Sequence, residues 1–197
     1  MHKNIVVIDT EYLSLRKKYS NYEYLIKFKK KLFPEIIQIA ACKFDIYNKK
    51  KFQKLNIYFK IQQKIPTRIK KLTGINETIL KKKGKNFKEN FKKLIQFIKK
   101  NDIVFVNGQD LDLIKFNMKY LKIKNIRKSF FYLNLKKLTG NIDTNFLQRD
   151  IKLDKKKLHN ASYDCTLISN FIRKIVKFYS YDFLNYIVSQ NKKNFKF

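Results

Sequence analysis

The sequence predicts an α/β fold: a central mixed sheet of five strands flanked by helices. Three observations lead there. Short β-branched runs of buried-strand character alternate with longer stretches whose apolar residues recur at helical spacing. Hydrophobic residues make up 44% of the chain and aromatics 15%, all of them Phe or Tyr, which supplies a core despite 31% charged residues. At 197 residues the chain is long enough for one substantial core and too short for two comfortable ones.

The elements follow in order. Ile5-Val6-Val7-Ile8 reads as the first buried strand. Tyr12 to Phe33 is polar and aromatic, an irregular connection or short hairpin arm. After Pro34, Glu35 to Phe44 is a near-continuous apolar run, a central strand; Leu55 to Ile61 alternates as a third, and Asn48-Lys49-Lys50-Lys51 between them is an exposed turn. Pro66 opens a short helical segment that stops at Leu72-Thr73-Gly74, where glycine supplies a left-handed conformation. Phe87, Phe91, Leu94, Ile95 and Ile98 form one stripe of a longer helix. Ile103 to Val106 is the fourth strand, and Asn107-Gly108-Gln109 turns it into a helix carrying Leu113, Ile114, Met118 and Leu121. Ser129 to Leu135 gives the fifth strand, and Thr139 to Leu158 reads as short helical pieces and loop. From Ser162, the stripe of Cys165, Ile168, Ile172 and Ile175 marks a long helix, and Phe183, Leu184, Ile187 and Val188 mark one more. The domain is expected over residues 1–180, with a C-terminal helix and a fraying basic tail over 181–197.

The formal charge is +31, carried almost entirely by Lys. Such a surface suits a polyanionic partner. AT-rich codon usage, which also enriches Asn, Ile, Phe and Tyr, accounts for it equally well. Cys42 and Cys165 have no metal-ligand spacing and no disulfide framework, and are expected as reduced core residues. No stretch approaches the ~20 apolar residues of a membrane span, and the first strand starts too early for a signal peptide, so a cytoplasmic protein without membrane partners is expected.

Chemistry concentrates in three separated patches. Asp9 and Glu11, two residues apart at the end of the first strand, project from the same edge and repel unless cations lie between them. Asp112 follows the fourth strand, and Asp164 sits in the first turn of the long helix with His159 in the loop before it. Oxygen-only ligands suit hard divalent ions such as Mg²⁺ or Mn²⁺, and an imidazole can accept a proton near neutral pH. A carboxylate cluster holding two ions fits phosphodiester cleavage.

These patches resemble the motifs of the DEDDh exonucleases, the DnaQ-like family on the ribonuclease H-like fold. Asp9-Thr10-Glu11 resembles the first motif, Glu35 to Ala40 the strand that follows it, Leu72-Thr73-Gly74-Ile75 a segment before the second motif, Asn107 to Asp112 the second motif, and His159 to Asp164 the third. The resemblance implies a 3′–5′ exonuclease releasing 5′-mononucleotides from single-stranded RNA or DNA ends. It implies that Asp9, Glu11 and Asp164 bind one of two Mg²⁺ or Mn²⁺ ions directly, that Asp9 bridges to the second, that Asp112 acts directly or through water, and that His159 activates the nucleophile. Tyr12 and Leu13 match positions that contact the terminal nucleotide; Tyr12 reads equally as a partly buried aromatic.

The second motif departs from the pattern, since Leu111 replaces the usual aromatic and two acids flank it. Leu113 to Phe116 continues the family's apolar pattern if Asp112 is the functional acid, which leaves Asp110 a solvated or capping residue. The rival readings are a non-catalytic basic nucleic-acid-binding module and an endonuclease of the same fold.

Overall fold

The strand at the centre of the sheet is the one richest in β-branched residues. In the computed structural model, which describes residues 4–13, 33–45, 52–124, 126, 129–138 and 159–196, β1 (Asn4–Tyr12) buries Ile5 to Ile8 completely, covered from both faces. It pairs antiparallel with β2 (Ile36–Asp45), which pairs antiparallel with β3 (Phe52–Phe59), the meander expected from the sequence.

Two short helices, α1 (Thr67–Thr73) and α2 (Glu77–Lys83), then lead through the two-residue β4 (Gly84–Lys85) into α3 (Phe87–Phe97). Gly74 ends α1 at φ 71 with its N–H on the Lys70 carbonyl, the left-handed stop its position predicts. β5 (Asp102–Val106) pairs parallel with β1, and β6 (Ser129–Asn134) parallel with β5, the latter two connected through α4 (Asp110–Tyr120). After α5 (Leu135–Leu138) the described chain resumes before α6 (Ala161–Asn191) and ends in β7 (Lys193–Lys196).

The sheet is therefore mixed and seven-stranded, in the order β4-β3-β2-β1-β5-β6-β7. The five expected strands are present, and the two additions are short edges. β7 corrects the expectation of a fraying tail: it pairs antiparallel with β6, and Phe195 stacks on Phe130 at 5.4 Å with its edge toward Tyr132. One aromatic between lysines is enough to anchor a four-residue strand on a waiting edge. The last two expected helices are both present: the run Ala161–Asn191, α6, is two helices meeting at Ser180, whose φ of 76 and ψ of 165 are non-helical.

Period two along β1 builds two cores. Val6 and Ile8 face the layer of α3 and α4, while Ile5 and Val7 face Ala161, Cys165 and Ile168 of α6. Both cysteines are free and buried. The connection expected over Tyr12 to Phe33, the Asn48 to Lys51 turn and the pieces expected over Thr139 to Leu158 fall on residues 14–32, 46–51 and 139–158, outside the described residues.

Candidate active site

Asp9 and Glu11 continue the row of Ile5 and Val7 on β1, so they project toward α6 where that core ends. There Asp164, in the first turn of α6, meets them: one carboxylate oxygen from each of Asp9, Glu11 and Asp164 lies within 4.8 Å of the others. Local sequence fixes the helix start. The Asn160 side chain accepts from the amides of Ser162 and Tyr163 at 3.1 and 3.3 Å, and the backbone N–H of His159, itself in a left-handed turn at φ 61, donates to the Asp164 carboxylate.

A fourth carboxylate arrives from α4. Asp110 Oδ1 accepts the Thr10 amide at 2.9 Å and the Thr10 hydroxyl at 2.8 Å, which holds Asp110 against the strand between the two acids of β1. The loop that delivers it is clasped to β6: Gly108, at φ 140, donates to Asn134 Oδ1 at 3.2 Å and accepts from Asn134 Nδ2 at 2.6 Å. A side chain at that φ would be strained, which suits glycine.

Burial and mutual repulsion dominate the electrostatics. Burial first, then Asp110, Glu11 and Asp164, push Asp9 well above the usual carboxylate range. Burial with Asp164 and Asp110 raises Glu11 to about 9. Asp110 and Asp164 rise to about 6, chiefly through burial, each partly offset by the hydrogen bonds it accepts. Among the described residues no Lys, Arg or His forms an ion pair with any of the four. Asp164 Oδ1 is buried without a hydrogen-bond partner. An oxygen-only donor set, crowded, uncompensated and with an orphaned oxygen, fits hard divalent cations.

The acids open into a cleft of about 370 Å³ lined also by Tyr12, Arg68, Leu72, Asn107 and His159. A wider recess of about 840 Å³, ending at Asn134 and Lys136, shares Asp9, Thr10, Tyr12 and Asn107 with it. Strand-end acids thus sit at the junction of two openings. Residues 6–171 match the RNase T exonuclease family profile. The chain belongs to the RNase T exonuclease family. The chain superposes on a full-length 3′-exonuclease with TM-score 0.69 at 15% identity, covering 89% of this chain and 82% of that one. It superposes on the nuclease domain of 3′hExo, a DEDDh family member bound to rAMP, with TM-score 0.66 at 15% identity over 89% and 92% of the two chains. The zinc-bound E. coli ExoI–ssDNA complex gives TM-score 0.66 at 12% identity, over 92% of this chain and 42% of that one. At such identities the likeness is of fold, the ribonuclease H-like fold the sequence resembles. No curated protein matches the sequence.

Two of the expected site residues lie apart from the carboxylate group. Asp110 is 6% exposed and lies against Asp9 and Glu11, whereas Asp112 is exposed at the edge of the wider recess, outside the carboxylate group. The reason is helical rotation: residues two apart on a helix point to nearly opposite faces. Asp110 shares its face with buried Leu113, Ile114 and Asn117, three, four and seven residues on, while Asp112 shares its face with exposed Lys115 and Lys119. That periodicity was the available signal. Leu13 is 3% exposed, in an apolar cluster with Ile37 and Ile69 behind the cleft wall, so its side chain does not line the cleft. Tyr12 lines both openings, its hydroxyl raised in pKa by burial and by Asp110 and Glu11. His159 is exposed at the cleft rim. Sequence reasoning missed Arg68 as a lining residue; Leu72, Thr73 and Asn107, which also line the cleft, belong to segments singled out for their resemblance.

Proposed function

We propose that this nuclease is a divalent-metal-dependent 3′–5′ exonuclease that releases 5′-mononucleotides from single-stranded RNA or DNA. The observation that carries the reading is the meeting of Asp9, Glu11 and Asp164 within 4.8 Å, with Asp110 beside them and, among the described residues, no ion pair to any of the four. Asp9, Glu11 and Asp164 would hold Mg²⁺ or Mn²⁺, and Asp110 would add charge for a second ion while fixing the β1 backbone through Thr10. When bound, such ions stabilise the charge that develops on the attacking and leaving oxygens of an in-line displacement at phosphorus.

The chain's own residues supply the rest. His159, at the solvent-facing rim, accepts the proton of the attacking water and passes it to solvent as the bond from phosphorus to the 3′-oxygen breaks. Tyr12 offers an aromatic wall to the terminal nucleotide, and Arg68 brings a cation to the same cleft. Likeness to folds described with rAMP and with ssDNA supports both sugars as candidates.

Matched 5′-labelled RNA and DNA strands with free 3′ ends test the reading. Stepwise shortening with mononucleotide release in Mg²⁺ or Mn²⁺, abolished by chelator, is expected. Cleavage of a circular or 3′-blocked strand would make the protein an endonuclease, and chelator-insensitive binding with no nucleotide released would make it a binding module.

A further inference from the structure

Around Ser180 the long helix changes character. Leu184 and Val188 turn inward to the core shared with β1 and β2, whereas Phe178, Tyr179 and Tyr186 are 74%, 64% and 63% exposed. Phe183, also exposed, lies beside Tyr179 with ring centroids 5.2 Å apart. Among the described residues, most of the exposed large hydrophobic side chains therefore fall between Phe178 and Tyr186. Ser180 holds a backbone conformation that residues other than glycine enter only under strain, and the break lets Leu184 and Val188 dock while the rings stay outside. Clustered exposed rings of this kind mark a contact surface.

Charge selects the partner. Between Arg173 and Lys196 the sequence carries six basic residues and one acid, Asp182. A second copy would bring +31 against +31. A polyanion is favoured instead, and nucleic acid is the polyanion whose bases also stack on planar rings. Resting on the 3′–5′ exonuclease reading above, we infer that this aromatic face of α6, with Lys177 just before the rings and Lys192 at the helix end after them, docks the upstream part of the single strand whose 3′ end occupies the carboxylate cleft. The same helix carries Asp164 at its other end. Fourteen residues separate Asp164 from Phe178, about 21 Å at about 1.5 Å per residue, a span of roughly six stacked nucleotides. Strands shorter than that reach the cleft alone.

The test is the Phe178→Ala/Tyr179→Ala/Tyr186→Ala variant of the full chain, assayed on 3′-hydroxyl strands of about 4 and about 20 nucleotides. The expected result is a KM for the long strand raised about tenfold, with kcat unchanged and the short strand affected less than about twofold. Unchanged short-strand turnover also reports an intact fold. Tyr179→Phe/Tyr186→Phe, which keeps the stacking faces, should retain the native KM. A long-strand KM unmoved by the alanines would overturn the inference. So would a wild-type dimer that the variant dissolves, or polyglutamate competing as well as a strand of equal charge. Should the wild type hydrolyse neither strand, the exonuclease reading fails, and fluorescence anisotropy with the long strand still decides whether the face binds.

Discussion

The two ends of β1 bury carboxylates in opposite ways. At its start, Asp102 is 1% exposed, yet it pairs with the Lys43 ammonium, accepts the Asn4 amide at 3.0 Å and the Lys99 backbone N–H at 2.7 Å, and its partner Lys43 also donates to the Phe97 carbonyl. At its end, Asp9, Glu11, Asp110 and Asp164 crowd together with neither Lys nor Arg paired to them among the described residues. The first set is closed and structural: every charge has its complement. The second is open, and the missing complement defines what the site takes, positive charge. Burial alone does not mark function; uncompensated burial does.

Breaking the open end should cost activity far more than stability. Asp164→Asn removes a carboxylate from the cluster and should lower turnover about a thousandfold, read as kcat in saturating Mg²⁺, while the thermal midpoint without metal holds or rises because a repulsion is gone. Breaking the closed end should do the reverse. Asp102→Ala strands Lys43 and should cost about 3 kcal/mol in denaturant unfolding, with kcat little changed at temperatures where the variant is folded.

Asp110 and Asp112 sharpen the comparison within one helix. Asp110→Asn should lower turnover about a hundredfold, whereas Asp112→Asn should stay within about twofold; equal losses would mean that the exposed acid shares the chemistry. A separate effect is on pH. Asp110 and Asp164 titrate from 3.8 to about 6 on folding, and Glu11 from 4.5 to about 9. Inside those windows the folded protein holds protons that the unfolded chain has lost, so stability falls as pH rises through them. Without metal the thermal midpoint should decline from about pH 4 toward about pH 9, and Mg²⁺ should flatten the decline. A midpoint that rises across that range would show the acids to be compensated after all.

Most of the framework follows from periodicity. Two-residue alternation in β1 places Asp9 and Glu11 on one face whatever the tertiary context, and the Cys165-Ile168-Ile172 stripe puts Asp164 at a helix start. The stop at Gly74 is likewise local, because only glycine takes a φ of 71 without cost. The burial of Leu13 was not legible, because nearness in sequence to the acids says nothing of which side of the strand end its side chain takes. Ordering by motif alone likewise favoured Asp112, where helix phase favours Asp110.

The sequence by itself determined the strands, the helices and the order of the acidic patches, since each depends on residues a few positions apart. Tertiary structure alone decided which acids meet, that the last residues close the sheet edge, and that the rings on either side of Ser180 stay exposed. Those outcomes depend on groups brought together from across the chain, Thr10 with Asp110, Phe130 with Phe195, and β1 with the first turn of α6. Local spacing carries no record of such meetings; packing in three dimensions creates them.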